Sequence, residues 1–563
     1  MTTERSFRAY TIACYAIAGA IIAVLFLENF TFSSSFSILG FRAIDDVAFQ
    51  STLRQVHLGL QSGNLEQLFS INNYAYGWIF WAPLALITYP LFMISHAFSV
   101  DWPLIVAPRQ ISLLFAVLSM IVMRKTLKHL KVAEWGCASA VLMFILFPSL
   151  GYFSLRFGTV NAVTFFSLLT VYLALNYERA TVGGAVRVAL SLAVAGAIKL
   201  SGLLIAPLAL FLVLRRIKGR QIVPVLIIPA IVFLLVLGIL TNPLFLLIPF
   251  KPQIWTDYLS ILLHFLEVTR VPSGPDNPIE RFYLGAFSRL TNAVVMAVLA
   301  AGWLVVIIRN RNCRADFVAI LVAVTLATTY LILSVKSVTG IGTYFTSVSF
   351  LILLGITGYA SSPKAVYLFG TLIILMMADV AGRAEEEFEN GSSVQQAFDR
   401  GPSLNNHFSY FIKEALSRNE MSLASSTVSC IEEHSNGRKP GHIFIDFTAP
   451  SAINALSYPE TCVSVAWNNL SPAGKYCDKP IDFLVLDTRD AVGFLPIEEF
   501  EKRVKKTDEK TAEGYKLDRQ SRMLLSSEGT FDNLRFTVAC DLGRLKVYKS
   551  EALLSNNKPV ISP

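Results

Sequence analysis

The sequence predicts a polytopic α-helical membrane protein with about eleven spans, one re-entrant or interfacial segment and a C-terminal extracytoplasmic α/β domain. Three observations lead there. Of the 563 residues, 54% are hydrophobic and the mean hydropathy is +0.54, a balance that a soluble globule does not have. Apolar stretches long enough to cross a bilayer recur through residues 1–382. The charge is split: residues 1–382 hold 26 Lys+Arg and 14 Asp+Glu, whereas residues 383–563 hold 22 and 26, within a total of +8. The basic excess therefore sits in the membrane half, where loop orientation explains it. It is not a nucleic-acid signal.

Taken in order, the first span is 9–27. It follows a short basic stretch and has no small-residue cleavage site after it, so it reads as a retained anchor. Outside it, Asp45-Asp46 opens a helix whose Phe49, Leu53, Val56 and Leu60 form one apolar stripe, with Gly59 and Gly63 marking its end. Further spans are expected at 104–123, 133–150, 159–177, 185–199, 201–214, 221–241, 289–308, 316–335, 342–360 and 364–381.

The stretch 78–98 is decided by charge. If it crosses, the basic loops at 124–131, 215–220 and 309–314 all fall outside; if it does not, they fall inside with Arg5, Arg8, Arg179 and Lys364. It is therefore read as re-entrant or interfacial, and Pro83 and Pro90 suit a bent segment. The short stretches 185–199 and 201–214 could also be one long helix, which would reverse everything downstream; the basic loop 309–314 argues for two. The N-terminus is then inside and the C-terminus outside, with outer loops 28–103 and 242–288.

Residues 383–563 carry the apolar stretches HIFIDF, CVSVAW, IDFLVL and LRFTVAC between polar segments, the pattern of strands in a small α/β domain. Cys430, Cys462, Cys477 and Cys540 all lie there. Four cysteines on the outer side suggest two disulfides, with three connectivities open, or else four unpaired thiols, two of them in strands; their spacing does not match a zinc site.

The candidate site residues lie on the outer face. Asp45 and Asp46 can serve as helix caps or as a general base and its neighbour. Arg156, at an outer span tip, can snorkel to headgroups or bind a phosphate bidentately. Lys199 is the most membrane-embedded cation, so it is a functional candidate alongside simple snorkelling. Lys336 and Tyr344 sit at another outer turn. His57 falls on the polar side of the Asp45-Asp46 helix, within reach of a substrate; His264 and Asp101 are weaker candidates. The Pro- and Gly-rich loop 271–281 can cover a site.

Laid end to end, the pieces IDDVAFQ, YAYGWIFWAPL, Arg109 at a span start, RFGTVNAVTFF, AGAIKLSGLLIAPL, NPLFLLIPF and GTYFTSVSFLILL resemble the GT-C superfamily of membrane glycosyltransferases over roughly residues 9–360. That superfamily includes protein O-mannosyltransferases and transferases that modify lipid A with aminoarabinose. The resemblance implies inverting transfer of a sugar from a polyprenyl-phosphate donor to a hydroxyl of a glycan, lipid or protein, on the outer face of a bacterial inner or plasma membrane. Asp45 would be the general base and Asp46 its neighbour. A divalent metal is a candidate cofactor. Gly158, Thr159 and Asn161 stand where several relatives carry Asp, and Tyr74, Ala75 and Tyr76 where lipid A enzymes often carry Lys, so Arg156 and Lys199 are taken as the leaving-group contacts. The rival reading is a transporter or lipid flippase, which would place charges near the midplane and show inverted repeats; neither is visible.

Overall fold

In the computed structural model, the described residues are 2–35, 52–63 without 54–55, 77–98, 102–146, 158–177, 181–217, 222–260 without 257, 290–309, parts of 352–389, parts of 423–445, 462–465, 480–487 and parts of 529–551. They form two compact units. The first comprises Met1–Phe30, Phe49–Pro90 and Val106–Phe411; the second comprises Thr31–Ala48, Leu91–Ile105 and Ile412–Pro563. This division differs from a boundary at residue 382, which falls inside the helix Ala365–Glu389.

The helices are α1 (Thr2–Ser35), α2 (Trp78–Phe98), α3 (Trp102–His129), α4 (Glu134–Leu146), α5 (Val160–Leu175), α6 (Val182–Ile198), α7 (Ala206–Leu214), α8 (Ile222–Thr241), α9 (Leu290–Arg309) and α10 (Ala365–Glu389). Among the described residues, three stretches are long and apolar enough to span a bilayer: Glu4–Leu27, Val106–His129 and Val223–Thr241. Several shorter apolar helices accompany them. Their outward faces keep large apolar side chains in the open, with Leu234 of α8 65% exposed and Ile12 of α1 59% exposed, as lipid contact demands. The expected span 316–335 and most of the expected span 342–360 lie outside the described residues.

Two ambiguities left by the sequence are resolved locally. The stretch 78–98 does not turn back on itself: α2 is one continuous helix through Pro83 and Pro90. Each proline removes one N–H, but a helix held by neighbours tolerates that loss, so a bend-prone sequence need not bend. The stretch 185–214 is not one helix. α6, capped at its start by Thr181 Oγ1 accepting from the Gly184 N–H, stops at Lys199, whose backbone is extended (φ −157°, ψ 133°). A short 3-10 segment, Leu200–Ile205, then folds back. A straight helix would put Ala195 and Gly202 about 10 Å apart, yet a Cβ on Gly202 would lie 2.4 Å from the Ala195 oxygen. Only glycine permits that contact, and the reversal returns α7 to pack on α5.

The first unit is held by one large apolar core built from α1, α3–α10 and the helical residues 352 and 355–359, including Trp135, Phe144, Trp303 and Phe369. Gly302, Gly355 and Gly358 let α9 and the helical residues 355–359 cross with backbones in contact.

The second unit contains a six-stranded mixed sheet of β1 (His442–Ile445), β2 (Cys462–Val465), β3 (Phe483–Asp487), β4 (Gly529–Phe531), β5 (Leu534–Asp541) and β6 (Leu545–Ser550). Its order is β2-β1-β3-β6-β5-β4, parallel at β2-β1-β3 and antiparallel beyond. All four apolar stretches named from the sequence carry strands. Phe444, Leu484, Leu486, Phe536 and Tyr548 form its core. Of the three connectivities open for the cysteines, the structure forms Cys430–Cys540, with Cα atoms 6.3 Å apart. Cys477 lies outside the described residues.

Candidate functional site

The helix ends of the first unit fall into two chemically distinct sets. At one, Glu134 at the start of α4 accepts from Tyr15 (2.7 Å) and from Arg124 Nε (2.8 Å), and pairs with Lys128. The basic residues 124–131 lie here, the end read as inside.

The opposite end is built from polar groups, of which Arg109, Ser112, Asn161 and Asn242 are buried. Gln110 Nε2 of α3 donates to the Phe26 carbonyl of α1 (2.9 Å), and Asn161 Nδ2 of α5 donates to the Ser112 carbonyl (3.1 Å). The Gly77 N–H before α2 donates to the Ala197 carbonyl of α6 (2.8 Å), and a Cβ on Gly77 would also come within 3.0 Å of the Leu240 oxygen of α8. Asn242 caps the 3-10 turn after α8 by accepting from the Leu244 N–H. Lys199, half-buried, stands one residue beyond Ile198 at this same end.

Arg109 lies within this wall and is 1% exposed. It is the only charged residue of 104–123, and it shares a helix face with buried Ser112, three residues on. Burying a guanidinium among apolar helices is expensive, so an ionisable group there marks a functional position by default. The sequence reading used Arg109 only as a landmark for the resemblance. Its isolation as the one charge in an apolar span was the signal for a role.

His57 is corrected. The sequence placed it on a polar face; the structure buries it to 1% exposure, with Nε2 2.8 Å from Thr88 Oγ1 and 3.2 Å from the Ala85 carbonyl. The reason is α2, which covers that face. Leu53, Val56, Trp81, Leu84 and Ala162 close over it together with Ile198. Burial pushes the imidazole down to about 4. The apolar stripe was read correctly at Leu53, Val56 and Leu60, and the helix ends at Gly63, whose φ of +63° favours glycine.

Asp45, Asp46, Arg156, Lys336 and Tyr344 lie outside the described residues, as do His264 and Asp101. Among the described residues, the one group of three His, Cys, Asp or Glu side chains with converging donor atoms is Cys430, His434 and Cys540, in the second unit.

No protein-family model matches the chain, and neither does any curated protein. Solved structures do. The chain is similar in fold to ArnT from Cupriavidus metallidurans. Against its apo state the TM-score is 0.55 at 13% identity, covering 95% of this chain and 98% of that one. Against ArnT bound to undecaprenyl phosphate the TM-score is 0.50, at the same identity and coverage. At that identity the likeness is one of fold.

Proposed function

We propose that this chain is a membrane glycosyltransferase that moves a sugar from a polyprenyl-phosphate donor to an acceptor hydroxyl on the outer membrane face. The single observation that carries the reading is the likeness in fold, over nearly the whole of both chains, to an enzyme solved with undecaprenyl phosphate. It favours transfer over transport.

The chemistry then needs a base and a stabilised leaving group. Asp45 accepts the proton of the acceptor hydroxyl as its oxygen attacks the anomeric carbon from the face opposite the phosphate, which inverts the configuration. Asp46 orients or caps beside it. The departing polyprenyl phosphate gains charge, which cations stabilise best where water is scarce. Arg156 and Lys199 are the candidates named by the sequence, and buried Arg109 joins them. Lys336 and Tyr344 are candidate donor contacts.

Asp45→Asn tests the assignment. It keeps the size and capping ability of the side chain and removes its basicity, so transfer to acceptor should fall by at least about 100-fold, with expression and melting temperature unchanged. Near-normal transfer in that variant would sink it.

A further inference from the structure

Outside the membrane unit, one cluster brings soft metal ligands together. Cys430 and His434 are one turn apart on the helical residues 426–434, and Cys540 comes from β5, next to a β-bulge between Val538 and Cys540. His434 Nδ1 lies 3.9 Å from Cys430 Sγ and 3.8 Å from Cys540 Sγ. The three donor atoms fall within 4.8 Å of one another. Lys549 Nζ donates to the His434 carbonyl and fixes the helix end that carries the ring.

A tetrahedral zinc ion, with Zn–S near 2.3 Å and Zn–N near 2.0 Å, sets a sulfur and a nitrogen ligand about 3.6 Å apart and two sulfurs about 3.8 Å apart. The imidazole already stands at close to the required distance from both sulfurs. Only the sulfurs must part, and Cα atoms 6.3 Å apart leave room for that by side-chain rotation. Cys430 is buried, whereas His434 and Cys540 are half-buried, so an ion can enter from one side and keep a water as fourth ligand.

We propose that Cys430, Cys540 and His434 form a redox-gated site for a soft divalent metal ion such as Zn2+, closed while the disulfide is formed and opened when a dithiol reductant cleaves it. The reductant gives two electrons and two protons to the disulfide and is itself oxidised to a disulfide. The two resulting thiols lose their protons to water as the ion binds, and two thiolates neutralise its charge. His434 Nδ1, whose N–H now donates to the Cys430 carbonyl (2.9 Å), coordinates once its proton has moved to Nε2. The proposal does not depend on the membrane unit's activity.

The test uses the full chain in detergent, with Cys462→Ser and Cys477→Ser introduced to remove neighbouring thiols. After reduction and removal of the reductant, Co2+ should bind at one equivalent, with thiolate charge-transfer and tetrahedral d–d absorption, and Zn2+ should displace it. The unreduced protein should bind none. His434→Ala should weaken binding at least about tenfold and alter the d–d bands. A second readout needs no ligand variant: Zn2+ should protect Cys430 and Cys540 of the reduced protein from alkylation, mapped by peptide mass. Absence of cobalt uptake, alkylation unaffected by Zn2+, or His434→Ala binding as tightly as its parent would each overturn the proposal.

Discussion

His57 occupies a place where a proton is unwelcome. Its ring packs against α2, where Nε2 meets Thr88 Oγ1 and the Ala85 carbonyl. In the unfolded chain the imidazole titrates near 6.5; in the folded chain burial lowers that to about 4. The group is depressed on folding, so as pH falls below about 6.5 the unfolded chain takes up a proton that the folded chain refuses. Stability is therefore lost between about pH 6.5 and 4, by up to roughly 3 kcal/mol. The melting temperature in detergent should drop from pH 7 to 5, and His57→Gln should flatten that drop; equal slopes in both proteins would count against it. Arg156 makes a different kind of prediction. If it binds the donor phosphate, Arg156→Ala should raise the KM for the lipid-linked donor at least about tenfold and Arg156→Lys should recover part of it, because a point charge replaces part of a bidentate contact. An unchanged KM would leave it a headgroup anchor.

At the scale of elements, the turn at Lys199 shows where sequence reasoning reaches and where it stops. Apolar runs locate helices because lipid demands a satisfied backbone, so the segments from α1 through α8 could be read directly from the sequence. Hydropathy alone does not separate one helix from two at 185–214, since both readings bury the same residues, and only the basic loop 309–314 argued for two. Gly202 decides it through a close approach of two backbone segments, a property that hydropathy does not encode. Likewise Pro83 and Pro90 suggested a re-entrant segment where α2 is one helix through both, and four cysteines left three pairings until the fold brought Cys430 to Cys540. Asp45, the proposed base, rests on motif order alone, whereas Arg109 needed burial to stand out. Gly202→Ala would press a methyl into the Ala195 carbonyl and the Gly196 nitrogen, atoms that cannot rotate away. We expect a loss of about 1–3 kcal/mol, seen as a lower melting temperature. Gly238→Ala, with nothing within 4 Å of the added carbon, should leave it unchanged. Equal effects would mean that the reversal tolerates a side chain.

At the scale of the whole molecule, two independent signals bear on sidedness. The basic loops after α3, α7 and α9 belong on the side where positive charge is retained. A disulfide in the second unit belongs in an oxidising compartment. Both are satisfied by an inside N-terminus and an outside sheet unit, the arrangement on which an outer-face transferase depends. Single cysteines can test it without disturbing either signal. Thr256, exposed after α8, reports the expected outer side; Gly183, exposed at the start of α6 with open space around it, reports the inner side. In a background where the native thiols are replaced, Thr256→Cys should react with a membrane-impermeant maleimide in intact cells. Gly183→Cys should react only after permeabilisation. Lys439→Cys, exposed in the second unit, should follow Thr256→Cys. The opposite pattern would put the basic loops outside and the disulfide in a reducing compartment, and would remove Asp45 from the face where a lipid-linked donor is proposed to react.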